Sequence, residues 1–168
     1  MALTYVAIAT VTVGSGGAAN IDFQSIPATY TDLVLQTSVR VDSGTAATTL
    51  TFNGGGTGTF SSRWVRGNGS AASSSTETFL HAGYANYSGT TASTFQNGSI
   101  YIPNYAGSNE KSVSVDSVSE DNSSTAFAVL VAGLWNQTTA INRVTIAPVS
   151  GNYVQYSTAT LYGIKNTV

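Results

Sequence analysis

A single histidine, His81, stands in a chain of 168 residues that has no cysteine. In the stretch TETFLHAG it could act as the base of a Ser-His-Asp device, because hydroxyls are plentiful. Such a device also needs a carboxylate to orient the imidazole and a nucleophile held on a sharp turn. Neither a Gly-x-Ser-x-Gly elbow nor a carboxylate paired with His81 by spacing is present. His81 therefore reads as a partly buried side chain satisfied by a backbone carbonyl.

The acidic residues converge once, in DSVSEDN, where Asp116, Glu120, Asp121 and Asn122 offer hard oxygens of the kind that bind Ca²⁺. The stretch lacks the Asp-x-Asp-x-Asp-Gly rhythm of a calcium loop, so the expectation is a turn in which Asp121 and Asn122 cap the backbone. Glycoside hydrolysis needs two acids facing one another across a cleft, and Glu77, Glu110 and Glu120 are too few and too turn-like. Without cysteine, thiol catalysis and Cys-based zinc sites drop out. The chain is expected to be no enzyme, with no catalytic residues, no metal site and no cofactor.

Recognition by shape is a different matter. Trp64, Tyr84, Tyr87, Tyr101 and Tyr105 fall in or beside expected loops, where rings can stack on sugars or fill pockets on a partner. Arg63 and Arg66 flank Trp64, and Arg and Trp are enriched at binding hot spots. The expected partner-binding set is Arg63, Trp64, Arg66, Tyr84 and Tyr105.

These side chains sit in an unusual composition. Charged residues are 8 %, with a formal net charge of −2, and the 46 Ser and Thr and 12 Asn supply the polar surface instead. The six cations are spread along the chain, whereas phosphate neutralisation requires several together, so no nucleic-acid partner is expected. The opening MALTYVAIATVTV has no basic region and alternates Thr with branched residues, which reads as a strand and not as a signal peptide. No apolar run approaches the roughly 18 residues of a membrane span.

Period-2 alternation recurs from end to end and almost no window shows a 3.6-residue period. The expected class is all-β, a single domain over 1–168, and about ten short strands at this spacing suggest a sandwich or a barrel. Candidate strands are Thr4–Val13, Ile21–Phe23, Thr31–Val41, Thr48–Asn53, Phe60–Arg66, Thr76–Ala82, Thr94–Ile102, Lys111–Ser119, Thr125–Trp135, Asn142–Ala147 and Tyr153–Ile164. Clusters such as NGGGTG, SEDNSS and SGN separate them as turns. The Ser/Gly-rich Gly67–Ser75 reads as a surface loop. In the third strand Leu33, Leu35, Thr37, Val39 and Val41 share one face, which goes to the core. Thr125–Trp135 is apolar on both faces, with Phe127, Val129, Val131 and Trp135 on one and Ala128, Leu130, Ala132 and Leu134 on the other. A strand of that kind must be covered on both sides. The face of Phe127, Val129, Val131 and Trp135 is the expected oligomer interface. The closing VQYSTATLYGIKNTV alternates as a strand that can complete the sandwich, which suggests a self-contained unit that attaches by its surface.

Four stretches together, IDFQSIPATYTDLVLQTSVR, LTFNGGGTGTFSSRWVRGNGS, SIYIPNYAGSNEKSVSVDSVSEDN and VLVAGLWNQTTAINRVTIAPVSGNYVQYSTATLYGIKN, resemble a family of virion structural proteins encoded by tailed bacteriophages. The resemblance spans about Ile21 to Asn166, and its specific pieces are SIP-x-TYTDL, YIPNYAGS, GLW and LYGIK. It implies a jelly-roll sandwich and a virion role, and supplies no catalytic residues. It also implies structural parts for Pro27 and Tyr30 at a turn, for Pro103 to Gly107 as a corner, and for Gly163 where close packing excludes a side chain. Within that setting the short chain, the uncharged hydroxyl-rich surface and the lack of a catalytic constellation lead to the expected function, capsid decoration: a cement protein, a homotrimer, made in the host cytoplasm, that sits on the outer surface of the head and clamps the major capsid protein. The alternative is a tail-tip or fibre protein binding a host glycan through the Trp64, Tyr84 and Tyr105 loops.

Overall fold

The computed structural model describes residues 4–44, 47–55, 58–122 and 126–165, and among them there is no helix. Alternation of apolar with hydroxyl side chains gives strands one dry and one polar face, and β-branched Val, Ile and Thr suit the pleat. The strands are β1 Thr4–Thr12, β2 Ile21–Phe23, β3 Asp32–Val39, β4 Ala47–Phe52, β5 Phe60–Gly67, β6 Ala72–Glu77, β7 Leu80–Tyr84, β8 Gln96–Ile102, β9 Lys111–Val118, β10 Ala128–Trp135, β11 Val144–Pro148 and β12 Thr158–Lys165.

They form two antiparallel sheets, ordered β1-β12-β3-β8-β9-β10-β5-β6 and β2-β11-β4-β7. Set aside the hairpins β5–β6 and β9–β10, and β1-β12-β3-β8 lies over β2-β11-β4-β7. The chain then changes sheet at every step except β4 to β7, which is the strand order of an eight-stranded jelly roll. Each hairpin enters at a connection of that core and widens the larger sheet. The expected all-β, jelly-roll-like sandwich is the observed one.

One core lies between the sheets. Leu33, Leu35, Val39 and Val41 enter it as their alternation requires, and so do Val113, Val115, Val129 and Val131 from the inserted hairpin. Trp135 joins the layers: its ring meets Phe52 of β4 edge-on at 5.5 Å and stacks with Phe60 of β5 at 6.3 Å.

Three expectations about elements change. The closing strand, expected over Tyr153–Ile164, begins at Thr158, because the chain turns at Tyr156, whose φ is 71°. Gly67–Ser75 is not a loop throughout, because Ala72–Glu77 pairs with β5 as the edge strand β6. Its serines gave no apolar alternation to reveal it, since every residue from Ala72 to Thr76 is exposed. The strand expected over Thr76–Ala82 is split: Glu77 ends β6 in the larger sheet, and Leu80 begins β7 in the smaller one.

Candidate functional site

On β5 the side chains of Trp64 and Arg66 turn to one side of the sheet, and those of Arg63 and Val65 to the other. The Arg66 guanidinium lies 5.1 Å from the Trp64 ring centroid, 5.0 Å from that of Tyr84 and 4.7 Å from that of Phe127. A cation over the faces of three rings is held by their quadrupoles. The Trp64 indole N–H donates to Glu77 Oε1 at 3.2 Å. Arg66, Trp64 and Tyr84 thus come together as expected, but they are occupied with one another and half-buried. Arg63 stands apart on the opposite face, exposed.

Three of the four residues expected at an oligomer interface belong instead to the core of the single chain: Val129, Val131 and Trp135 are at most 4 % exposed. Phe127 is half-buried against Arg66 and Tyr84. The two faces of β10 were both apolar in sequence, and alternation alone does not say which one the smaller sheet covers. Tyr105, expected to contact a partner, is fully buried.

His81 packs beside the same aromatic group, with ring centroids 4.8 Å from Tyr84, 5.9 Å from Phe79 and 6.2 Å from Trp64. Its Nδ1 accepts the Gly83 N–H at 2.9 Å, so its partner is a backbone amide and not the expected carbonyl. Burial lowers its pKa to about 4; Glu77 opposes that shift and Arg66 adds to it. The imidazole is therefore neutral at pH 7. In the acidic stretch, Glu120 Oε1 accepts from the Asp121 and Asn122 amides at 3.1 and 2.7 Å, and Asp121 Oδ2 accepts from Thr91 N at 3.2 Å. Asp121 thus caps a backbone amide as expected, and Glu120 supplies the caps within the turn itself. Among the described residues no group of three or more His, Asp or Glu is arranged to hold a metal ion.

The segments quoted for the family resemblance meet in space. Tyr105 from YIPNYAGS donates its hydroxyl to the Pro27 carbonyl of SIPATYTDL and accepts the Tyr30 N–H at 3.3 Å. Tyr30 in turn lies over Gly163 of LYGIK, so close that a β-carbon there would sit 2.3 Å from Tyr30 Cγ. Asp32 accepts from Asn104 N at 2.9 Å and from the Tyr101 hydroxyl at 3.0 Å. Lys111, fully buried, donates to the Gly107 carbonyl at 2.7 Å and lies 5.8 Å from the ring of Trp135, the last residue of GLW. In this fold Tyr105, Pro27, Tyr30, Gly163 and Lys111 serve packing and backbone hydrogen bonding.

The outer face of the larger sheet is what remains uncovered. Across β9, β10 and β5 it forms a depression of about 480 Å³ whose lining includes Arg63, Val65, Ser114, Leu130 and Ala132. Leu130 is 59 % exposed and Val65 48 %. Five of the six cations are engaged elsewhere. Arg40 donates to Thr90, Thr91 and Thr94. Arg66 stacks on rings, Lys111 meets carbonyls, Arg143 pairs with Asp22 at 2.8 Å, and Lys165 lies 6.0 Å from the Tyr30 ring. Arg63, on the rim of this depression, has no hydrogen bond or ion pair with any described residue. The available signal for this face in the sequence was the run Ala128, Leu130, Ala132, Leu134.

The chain matches no protein-family model, no curated protein and no solved structure.

Proposed function

We propose that this chain is a structural protein of a tailed-phage virion, a decoration protein that attaches to the outer surface of the head and reinforces contacts between major-capsid subunits. In this reading it binds a protein surface and catalyses nothing. The observation that carries it is the exposed apolar face of β9, β10 and β5, with Leu130 and Val65 beside the Arg63 guanidinium, which has no hydrogen bond or ion pair with any described residue. Other exposed apolar side chains such as Tyr156 and Val149 lie elsewhere, whereas Leu130 and Val65 are neighbours across paired strands, and a contiguous apolar patch is the kind of surface that another protein covers. The resemblance to phage structural proteins supplies the setting. A head displays many copies of each site, so modest single contacts give high occupancy. Cryo-electron microscopy of the virion tests this: regular density for the chain on the head is expected, and density confined to the tail overturns it.

The tail-tip reading keeps one observation of its own. Gln36, Asn97, Ser99 and Asp116 line a polar depression of about 260 Å³, and Tyr101, 39 % exposed, follows Ser99 on the same face of β8. Amides and a carboxylate beside a ring suit a sugar. Glycan-array binding by the isolated protein that is lost on Tyr101→Ala would rank this reading first.

A further inference from the structure

We propose that the apolar face of β9, β10 and β5 is covered by a second copy of the same chain, related by a two-fold axis running along β10. This rests on reading that face as a protein-assembly surface, and places a second copy there instead of a capsid subunit, so that the pair meets the head through its other surfaces.

The face has a self-complementary layout. On the outer side of β10, Leu130 pairs across to Val65 of β5 and to Asp116 of β9, and Ala132 pairs to Arg63 and to Ser114. Apolar side chains therefore fill the middle, with a cation on the β5 flank and an anion on the β9 flank. Asp116 is exposed and, like Arg63, has no hydrogen bond or ion pair with any described residue. In a chain with only 8 % charged residues, these two charges of opposite sign stand on either side of one apolar strip.

A two-fold axis lying between two stacked sheets and parallel to β10 exchanges the flanks. It sets β10 against β10, with Leu130 near its own counterpart, and lays β5 of each copy over β9 of the other. Arg63 then faces the Ser114 position of the second chain, one two-residue step along the strand from Asp116, roughly 7 Å. Sheets stack at about 10 Å, a gap filled by side chains from both faces, and a long Arg side chain spans that step. Two Arg63–Asp116 pairs form at once, and both charges gain partners as the apolar strip is dried. Symmetric pairing of one patch with itself is the commonest way in which soluble proteins oligomerise. A three-fold ring, by contrast, sets one patch against a different one, and leaves this complementarity unused.

Sedimentation equilibrium of the purified chain should give twice the 17.3 kDa chain mass. Leu130→Asp changes an exposed residue, so its circular dichroism should be unchanged while the mass falls to that of a monomer. Arg63→Glu alone and Asp116→Arg alone should each weaken association by about tenfold or more, because each sets like charges together. The double variant Arg63→Glu/Asp116→Arg should restore association to near the wild-type value. A monomeric wild type at every concentration reached, a trimer, or a double variant no better than the singles overturns the two-fold pairing. A monomer that still decorates heads overturns it and leaves the head assignment standing.

Discussion

Tyr105 donates its hydroxyl to the carbonyl of Pro27, 78 residues earlier in the chain, and the turn fixed in this way carries Tyr30 onto Gly163. One buried phenol thus connects the loop after β8, the turn before β3 and the closing strand β12. Burial raises the pKa of the Tyr105 hydroxyl, which keeps it a donor. Residues far apart in the chain are thus linked by contact in one packed corner.

Gly163→Ala should destabilise the fold by about 1–3 kcal/mol, the range for forcing extra atoms into a packed site. The clash is with Tyr30 Cγ, near the base of the side chain, where little can swing away. In urea denaturation the cost of Gly163→Ala should shrink in a Tyr30→Ala background, a non-additivity expected of residues in contact. Equal cost in both backgrounds would show that the ring is not what excludes the methyl.

His81 predicts a pH dependence on the acid side. Its pKa, near 6.5 in an unfolded chain, is lowered to about 4 in the fold, chiefly by burial. Above 6.5 both states are neutral and nothing changes. Between 6.5 and 4 the unfolded chain takes a proton that the folded one refuses, so stability falls with pH and levels off below 4. The total loss is on the order of 3 kcal/mol. Asp22, whose pKa is lowered to about 2 by Arg143 against an ordinary 3.8, loses its contribution at lower pH, so the two windows separate. Stability measured from pH 7 to 4 should lose its slope in His81→Phe.

Lys111→Met keeps the buried stem and removes the ammonium that serves the Gly107 and Asn109 carbonyls. Hydrogen bonds to a charged group are worth about 1.5–3 kcal/mol, and a loss in that range is expected in chemical denaturation. Burial lowers the Lys111 pKa, yet the surrounding carbonyls favour the charged form, and a Met that matched wild-type stability would mean that they do not need it.

Trp64→Ala should lower stability by about 2–4 kcal/mol, since it empties the centre of the group formed by Arg66, Tyr84, His81 and Glu77. Arg63→Glu, on an exposed side chain with no hydrogen bond or ion pair to any described residue, should change stability by no more than about 0.5 kcal/mol when both proteins are compared as monomers, at concentrations too low for pairing. Thermal melts of the two variants compare them directly. A Trp64→Ala protein as stable as wild type would return Trp64 to the list of surface contacts.

Much of the fold was legible in the residues. Leu33, Leu35, Val39 and Val41 point inward as their alternation requires, because a pleated strand has only two sides and only one is dry. β6 was not legible: a serine-rich edge strand exposed at almost every position leaves no apolar alternation. The candidate site was legible only in part. Arg66, Trp64 and Tyr84 do gather, but as a group that satisfies itself, and the true open face was masked by β10, which is apolar on both sides.

By itself the sequence determined the all-β class, the two-sided alternation of most strands and the sparseness of charge. These depend on local geometry and on the free energy of single side chains, which any chain segment carries with it. Only the tertiary structure decided that Val129, Val131 and Trp135 face inward and Leu130 outward, that Tyr105 is buried beneath Pro27, and that Arg63 and Asp116 flank one apolar strip. Those outcomes depend on which sheet covers which face. That choice is made when strands distant in sequence are brought together, by the burial each arrangement gains across the whole sandwich.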